Sequence, residues 1–234
     1  MSLLSSLDWS PLLISLKTAA VTMIIVFVLG VIVAWRVIRI KNEYLKLWID
    51  GLLTLPLVLP PTVVGFILLY LLGNNGPVGR WLNELLGLQI AFTWLATVIT
   101  ASVISFPLMY RCARAAIEQV DEGLWLAARS LAMPEGRIFY RIILPNALPG
   151  LAAGGSLAFA RALGEFGATT MLAGNIIGKT RTLPQAIYSE AIAGEMDTAW
   201  CYSLVIISIC LVIVMGVNWY LFRSRKRQNR GSKA

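Results

Sequence analysis

The chain of 234 residues is 58% hydrophobic and 14% charged, with a formal net charge of +8, and apolar runs near the roughly 20 residues that cross a bilayer mark an integral membrane protein. It has no histidine, and its three cysteines, Cys112, Cys201 and Cys210, form no CxxC pair, which excludes His-dependent catalysis and leaves no material for a zinc site or a disulfide framework. The basic residues sit at the ends of the apolar runs, where lipid headgroups and orientation signals account for them, so the positive charge does not argue for nucleic acid.

The opening stretch, MSLLSSLDWSPLLISLK, offers no small-residue cleavage site, and the first apolar run, about 12–35, is expected to stay in place as a span. Lys17 near its start can snorkel to the interface. The second run, about 47–73, contains LPLVLPPTVVG, in which Pro56, Pro60 and Pro61 remove backbone donors and break the helical ladder at mid-depth. Such a break is either a kink between packed helices or the wall of a pathway between subunits. Asn74, Asn75, Gly76 and Pro77 form a turn, with Arg80, Trp81 and Glu84 beyond it, a surface open to solvent or to a binding protein. A third run follows at about 88–110.

The longest polar connection, about 111–144, reads as two short helices joined by a turn. Ala127, Ala128 and Leu131 share one face of the first, Met133 and Pro134 interrupt it, and Pro134 suits the first position of the second because no needed donor is lost there. Trp125 is the one tryptophan expected to serve as a docking contact; the others sit near span ends as interfacial anchors.

The fourth run, about 145–173, is rich in Gly and Ala and holds Arg161 and Glu165 one helical turn apart. Small residues let helices approach closely, and paired charges lower the cost of either in hydrocarbon, so this span belongs inside a bundle. Two roles stay open for the pair. It fixes packing, or Arg161 offers a guanidinium to a passing tetrahedral dianion while Glu165, or Thr169 and Thr170, shape a gate. The piece 182–193, TLPQAIYSEAIA, is too short and polar to cross alone and is expected as a re-entrant or interfacial helix. The last run, about 199–222, precedes a basic tail at 223–234 that reads as a solvated stop signal.

The expected fold is therefore all-α: a single transmembrane domain over 1–234 with five spans and room for a sixth, short or re-entrant one. Lys and Arg concentrate after the first span (Arg36, Arg39, Lys41, Lys46), after the third (Arg111, Arg114, Arg129, Arg137, Arg141) and after the last (Arg223, Arg225, Lys226, Arg227, Arg230, Lys233). The alternate connections hold only Arg80, Lys179 and Arg181, which puts the N-terminus outside and the C-terminus in the cytoplasm. There is no G-x-x-x-x-G-K-[ST] loop, no G-x-S-x-G elbow and no cluster of intramembrane carboxylates. The chain is expected to perform no chemistry, to bind no cofactor or metal, and to leave any ATP hydrolysis to a partner.

Ala127, Ala128, Ala132, Ile142, Leu144 and Pro145 lie at the spacing of the loop E-A-A, three residues, G, nine residues, I-x-L-P, and so the connection resembles the cytoplasmic loop of ABC importer permeases. Leu126 stands where that pattern has Glu and Ala132 where it has Gly, and the second change implies a turn that does not need a positive φ. With Met133 and Pro134 between its halves, the resemblance makes this the loop that fits a cleft in an ATPase. The segments LPLVLPPTVVGF, FPLMYRCARAAIEQVD, LPNALPG, AFARALGEFGAT and AGNIIGKTRTLPQAIY resemble molybdate permeases more narrowly, a group close to sulfate and thiosulfate permeases; Ile177 replaces their usual proline. The resemblance implies a homodimer in a prokaryotic cell membrane, two copies of a cytoplasmic ATP-binding subunit, and a periplasmic or lipid-anchored protein that delivers molybdate or tungstate. The alternatives are a sulfate or thiosulfate permease, or a secondary transporter without an ATPase, which the absence of a visible inverted repeat disfavours.

Overall fold

Proline and glycine set most of the helix ends. The computed structural model describes residues 7–231, with only the backbone of Asn218, Tyr220, Leu221 and 224–231. Helix α1, Ser10–Ile38, takes Pro11 in its first turn, where the missing donor costs nothing, and buries Ala19, Thr22, Val26 and Ala34 at helical spacing. Helix α2, Glu43–Val58, starts at Asn42, whose side chain accepts from the Leu45 amide at 3.2 Å. Pro60 and Pro61 then end it, and α3, Pro61–Leu72, leaves at a bend of 107°. The expected break thus lies at Pro60 and Pro61, whereas Pro56, also expected to break the ladder, stays inside α2.

The turn after α3 leads into α4, Pro77–Leu86, so Arg80, Trp81 and Glu84 lie on a helix that Gly87 closes in the left-handed conformation (φ +63°). Helix α5, Trp94–Glu118, is followed by α6, Glu122–Ser130, and by a helical rod in which α7, Glu135–Ile138, passes through a π turn at Phe139–Ile143 into α8, Leu144–Leu163. The fourth span therefore starts nearer Glu135 than 145, because Arg137 and Arg141 are exposed while Ile138, Phe139 and Ile143 are buried on the other side. It also ends at Leu163. Beyond a break at Gly164–Phe166, α9, Gly167–Ala173, is a separate helix, and α10, Leu183–Ala193, opens with a capping box between Thr182 and Gln185. Helix α11, Met196–Gly231, carries the last run and continues through the backbone of the basic tail; the side chains of 224–231 and all of 232–234 lie outside the described residues.

Among the described residues, four helices are long and apolar enough to cross a membrane: α1, α5, the α7–α8 rod and Met196–Val217 of α11. The bent α2–α3 pair makes five if it counts as one span, and no described residue is in a strand. At the centre, α8 packs on α5 closely enough that a Cβ on Gly154 would stand 2.4 Å from that of Cys112. Polar bonds add direction. Thr18 and Thr97 share a hydrogen bond at 3.0 Å, Trp94 Nε1 donates to Thr18 at 3.0 Å, and Thr100 shares one with Thr169 at 3.0 Å. Helix α2 buries no residue, and α11 buries few.

Candidate functional site: a mid-bundle charge pair and a helical loop

At the end of α8, Arg161 Nη1 donates to Glu165 Oε2 at 2.8 Å, while Glu165 Oε1 accepts the Ala168 amide at 2.8 Å. The carboxylate is thus held between a guanidinium and the first turn of α9, where a negative charge is also favoured by the helix dipole. The side chain of Glu165 is 2% exposed and that of Arg161 31%, so the acid is interior and the base reaches the surface of the subunit. The broken helix meets them there. Gly167 lies against Pro61, where an added Cβ would come within 3.1 Å of the proline ring, and Gly65 lies against Ala168. Pro60 caps α3 through its carbonyl, which accepts from Val63 and Val64. Val64 and Ala168 pack with Ile104, in the middle of α5, so the group sits halfway along the bundle.

Thr169 and Thr170 diverge. Thr169 is buried against Thr100, which turns it away from the Arg161 surface. Thr170 is exposed; its hydroxyl donates to the Phe166 carbonyl at 2.8 Å and accepts from Gln185 Nε2 at 3.2 Å.

At the loop end, α6 is capped by Asp121, whose carboxylate accepts from the Gly123 amide at 2.6 Å. Its end is a Schellman turn: the Met133 amide reaches the Ala128 carbonyl at 3.2 Å and the Ala132 amide reaches that of Arg129 at 2.9 Å. Ala132 therefore adopts φ +52°, against the expectation that replacing glycine marks a turn without positive φ. The hydrogen bonds force the geometry, and a residue with a Cβ bears about 1–2 kcal/mol for it. Pro134 precedes the first residue of α7 rather than occupying it, and its carbonyl accepts from Arg137 and Ile138.

Ala128 is buried, whereas Ala127 and Ala132 are exposed beside Leu126, at 56%, and Leu131, at 76%. Ile142 and Leu144 are half-buried around a fully buried Ile143, and Pro145 is exposed in the first turn of α8. Trp125, expected as a docking contact, is half-buried. Its ring lies 5.3 Å from that of Trp35, which lies 4.9 Å from Phe139, so it anchors α6 to the end of α1. Glu135 joins the parts by pairing with Arg129 at 3.0 Å and Arg39 at 3.7 Å.

Sequence reasoning passed over Asp50. In the apolar α2 its carboxylate accepts from the Tyr110 hydroxyl and from Arg114 Nη1, while Arg114 Nε donates to Glu118 at 2.8 Å. These groups line a cleft of about 410 Å³ with Gly51, Thr54 and Arg111. The available signal was the one that marks Arg161: a lone charge in an apolar run. Among the described residues, no three His, Cys, Asp or Glu side chains come together as metal ligands would.

Residues 15–227 match the family described as binding-protein-dependent transport system inner membrane component. The molybdenum transport system permease protein ModB of Escherichia coli (strain K12) is 41% identical over 232 residues, covering 97% of this chain and 100% of its own length. A probable sulfate transport system permease protein, cysT of Chlorokybus atmophyticus, is 33% identical over 210 residues, covering 90% of this chain and 73% of its own. The fold is similar to that in a crystal structure of a bacterial ABC transporter involved in the import of the acidic polysaccharide alginate, with a TM-score of 0.76 at 17% identity over 92% of this chain and 78% of that one. With the broken helix, the helical loop and the membrane-crossing rods in place, the chain belongs to the family of inner membrane components of binding-protein-dependent transport systems, as a multi-pass permease subunit.

Proposed function

We propose that the chain is the permease subunit of an ATP-driven importer of molybdate, with tungstate as the isosteric second cargo. The 41% identity to a molybdenum permease over nearly all of both chains carries the substrate class. The geometry agrees with it in one respect above all: Arg161 stands halfway along the bundle with its side chain 31% open. A guanidinium at that depth is costly against lipid and useful against a dianion that has shed its water. Glu165 occupies one of its donors, which tempers the attraction so that an anion passes rather than stays. Pro60, Pro61 and Thr170 belong to the same lining in this reading, and Thr169 supports it from behind.

Two such chains enclose the pathway between them, because the surface carrying Arg161 needs a cover that is not hydrocarbon. The 119–138 connection, with Ala127, Leu131 and Ala132 displayed and Pro145 exposed beyond it in the first turn of α8, is the surface for a cytoplasmic ATP-binding subunit, one per permease. The loop end faces the cytoplasm, as the distribution of Lys and Arg requires, and the opposite end receives a binding protein that selects the oxyanion. The chain itself holds no cofactor.

The test is labelled molybdate uptake by cells lacking their own high-affinity system and supplied with this chain, its ATPase and its binding protein. Uptake blocked by tungstate and untouched by excess sulfate is expected. Uptake of labelled sulfate instead would move the assignment to the sulfate group, a reading that the 33% identity to a sulfate permease keeps in play.

A further inference from the structure

Helix α2 has an unusual attachment for part of a permease core. It buries no residue, and only its Ile49 and Leu53 pack partly against a core cluster. In a bilayer such thin apolar contact holds little, because lipid competes equally for the same surface. What fixes α2 is polar. Asp50 accepts from Tyr110, which is fully buried in α5, and from Arg114 one turn further along that helix. Arg114 is held in turn by Glu118 in the last turn of α5, after which residues 119–121 lead straight into α6.

We infer that Asp50 is a positioning residue of the transport cycle: it makes α2 travel with α5, so that movement of the 119–138 connection is delivered to the Pro60–Pro61 break. This rests on the importer reading only in taking that connection as the part an ATPase moves. Two routes then run from the loop to the middle of the bundle. One is the continuous Glu135–Leu163 rod, which ends beside Arg161. The other passes from α5 through Asp50 to α2, and the two meet where Gly167 touches Pro61. Without Asp50 the first route moves one wall of the group while the second wall lags.

The experiment uses the complete complex of permease, ATPase and binding protein in liposomes, with molybdate import and ATP hydrolysis measured together. Spin labels at Gly51→Cys and Ala115→Cys, placed after the native cysteines are replaced, report the α2–α5 distance. In the wild type a narrow distance distribution is expected with and without ATP. Asp50→Asn is expected to keep ATP hydrolysis while lowering import per ATP about tenfold, the scale of one lost charged hydrogen bond, and to broaden the distribution. Asp50→Glu restores both. Tyr110→Phe, which removes a single hydroxyl, gives an intermediate broadening and serves if the Asn variant does not assemble. The proposal is overturned if the distribution stays narrow in Asp50→Asn or Tyr110→Phe, or if import and hydrolysis fall in step. The distance measurement needs no cargo, so a wild-type complex that hydrolyses ATP yet carries no oxyanion sinks the importer assignment and not the role of Asp50.

Discussion

Arg161 and Glu165 are unequal partners. The acid spends one oxygen on the arginine and the other on the start of α9, so it is needed for the local fold, whereas the arginine keeps free edges of its fork at the subunit surface. Arg161→Gln is therefore expected to lower molybdate uptake by about tenfold or more while the complex still assembles, and Arg161→Lys to recover part of it, since a point charge replaces a planar fork. Uptake assays beside size-exclusion profiles check this; loss of assembly in Arg161→Gln would make the pair a packing device. Ala132 offers an independent test. Ala132→Gly relieves the positive φ at the end of α6 and should stabilise the chain by about 1 kcal/mol in thermal unfolding. The pair itself is readable from sequence, since charges stand out in an apolar run, but its asymmetry is not. Nothing in the spacing of Arg161 and Glu165 announces that the Ala168 amide will claim the second oxygen.

Among the elements, the rod from Glu135 to Leu163 has the clearest mechanical meaning. Its 29 residues make it about 43 Å long, with one end in the loop and the other beside the charge pair. The sequence marks a second short helix starting at Pro134 and a separate span from about 145; the structure joins them, since Arg137 and Arg141 line only the exposed side of one rod. The π turn at Phe139–Ile143 has no sequence mark; it is a local adjustment that lets Phe139 meet Trp35 and Ile143 enter the core. The α3–α9 contact is similarly tertiary. A Cβ on Gly65 would stand 2.7 Å from the Ala168 Cα, a backbone atom that cannot turn aside. Gly65→Ala is expected to cost about 1–3 kcal/mol and to depress uptake by parting the broken helix from α9. Thermal unfolding and uptake of this variant, measured together, check it.

The whole molecule is a subunit built to be covered. Helices α2, α3 and α11 present Trp48, Leu52, Val58, Phe66, Tyr70, Leu204 and Leu211 outward, and the loop end presents Leu126 and Leu131. In the proposed assembly lipid and a second copy cover the former and an ATPase the latter, so Leu131→Glu should weaken co-purification of the ATPase at least tenfold without disturbing the permease, whose core that side chain does not enter. An unchanged complex would move the docking surface elsewhere. The sequence by itself determined the class of this protein: apolar runs of spanning length, the double proline, and the spaced alanines of the connection are local properties, and hydrophobic length and backbone chemistry act wherever the chain lies. Only the tertiary structure decided which residues face one another. It turned Trp125 inward onto Trp35, set Thr169 and Thr170 apart, brought Pro61 to Gly167 and gave Asp50 its partners. Those outcomes depend on helix rotation and crossing, which small residues such as Gly65 and Gly154 permit but which no single segment encodes.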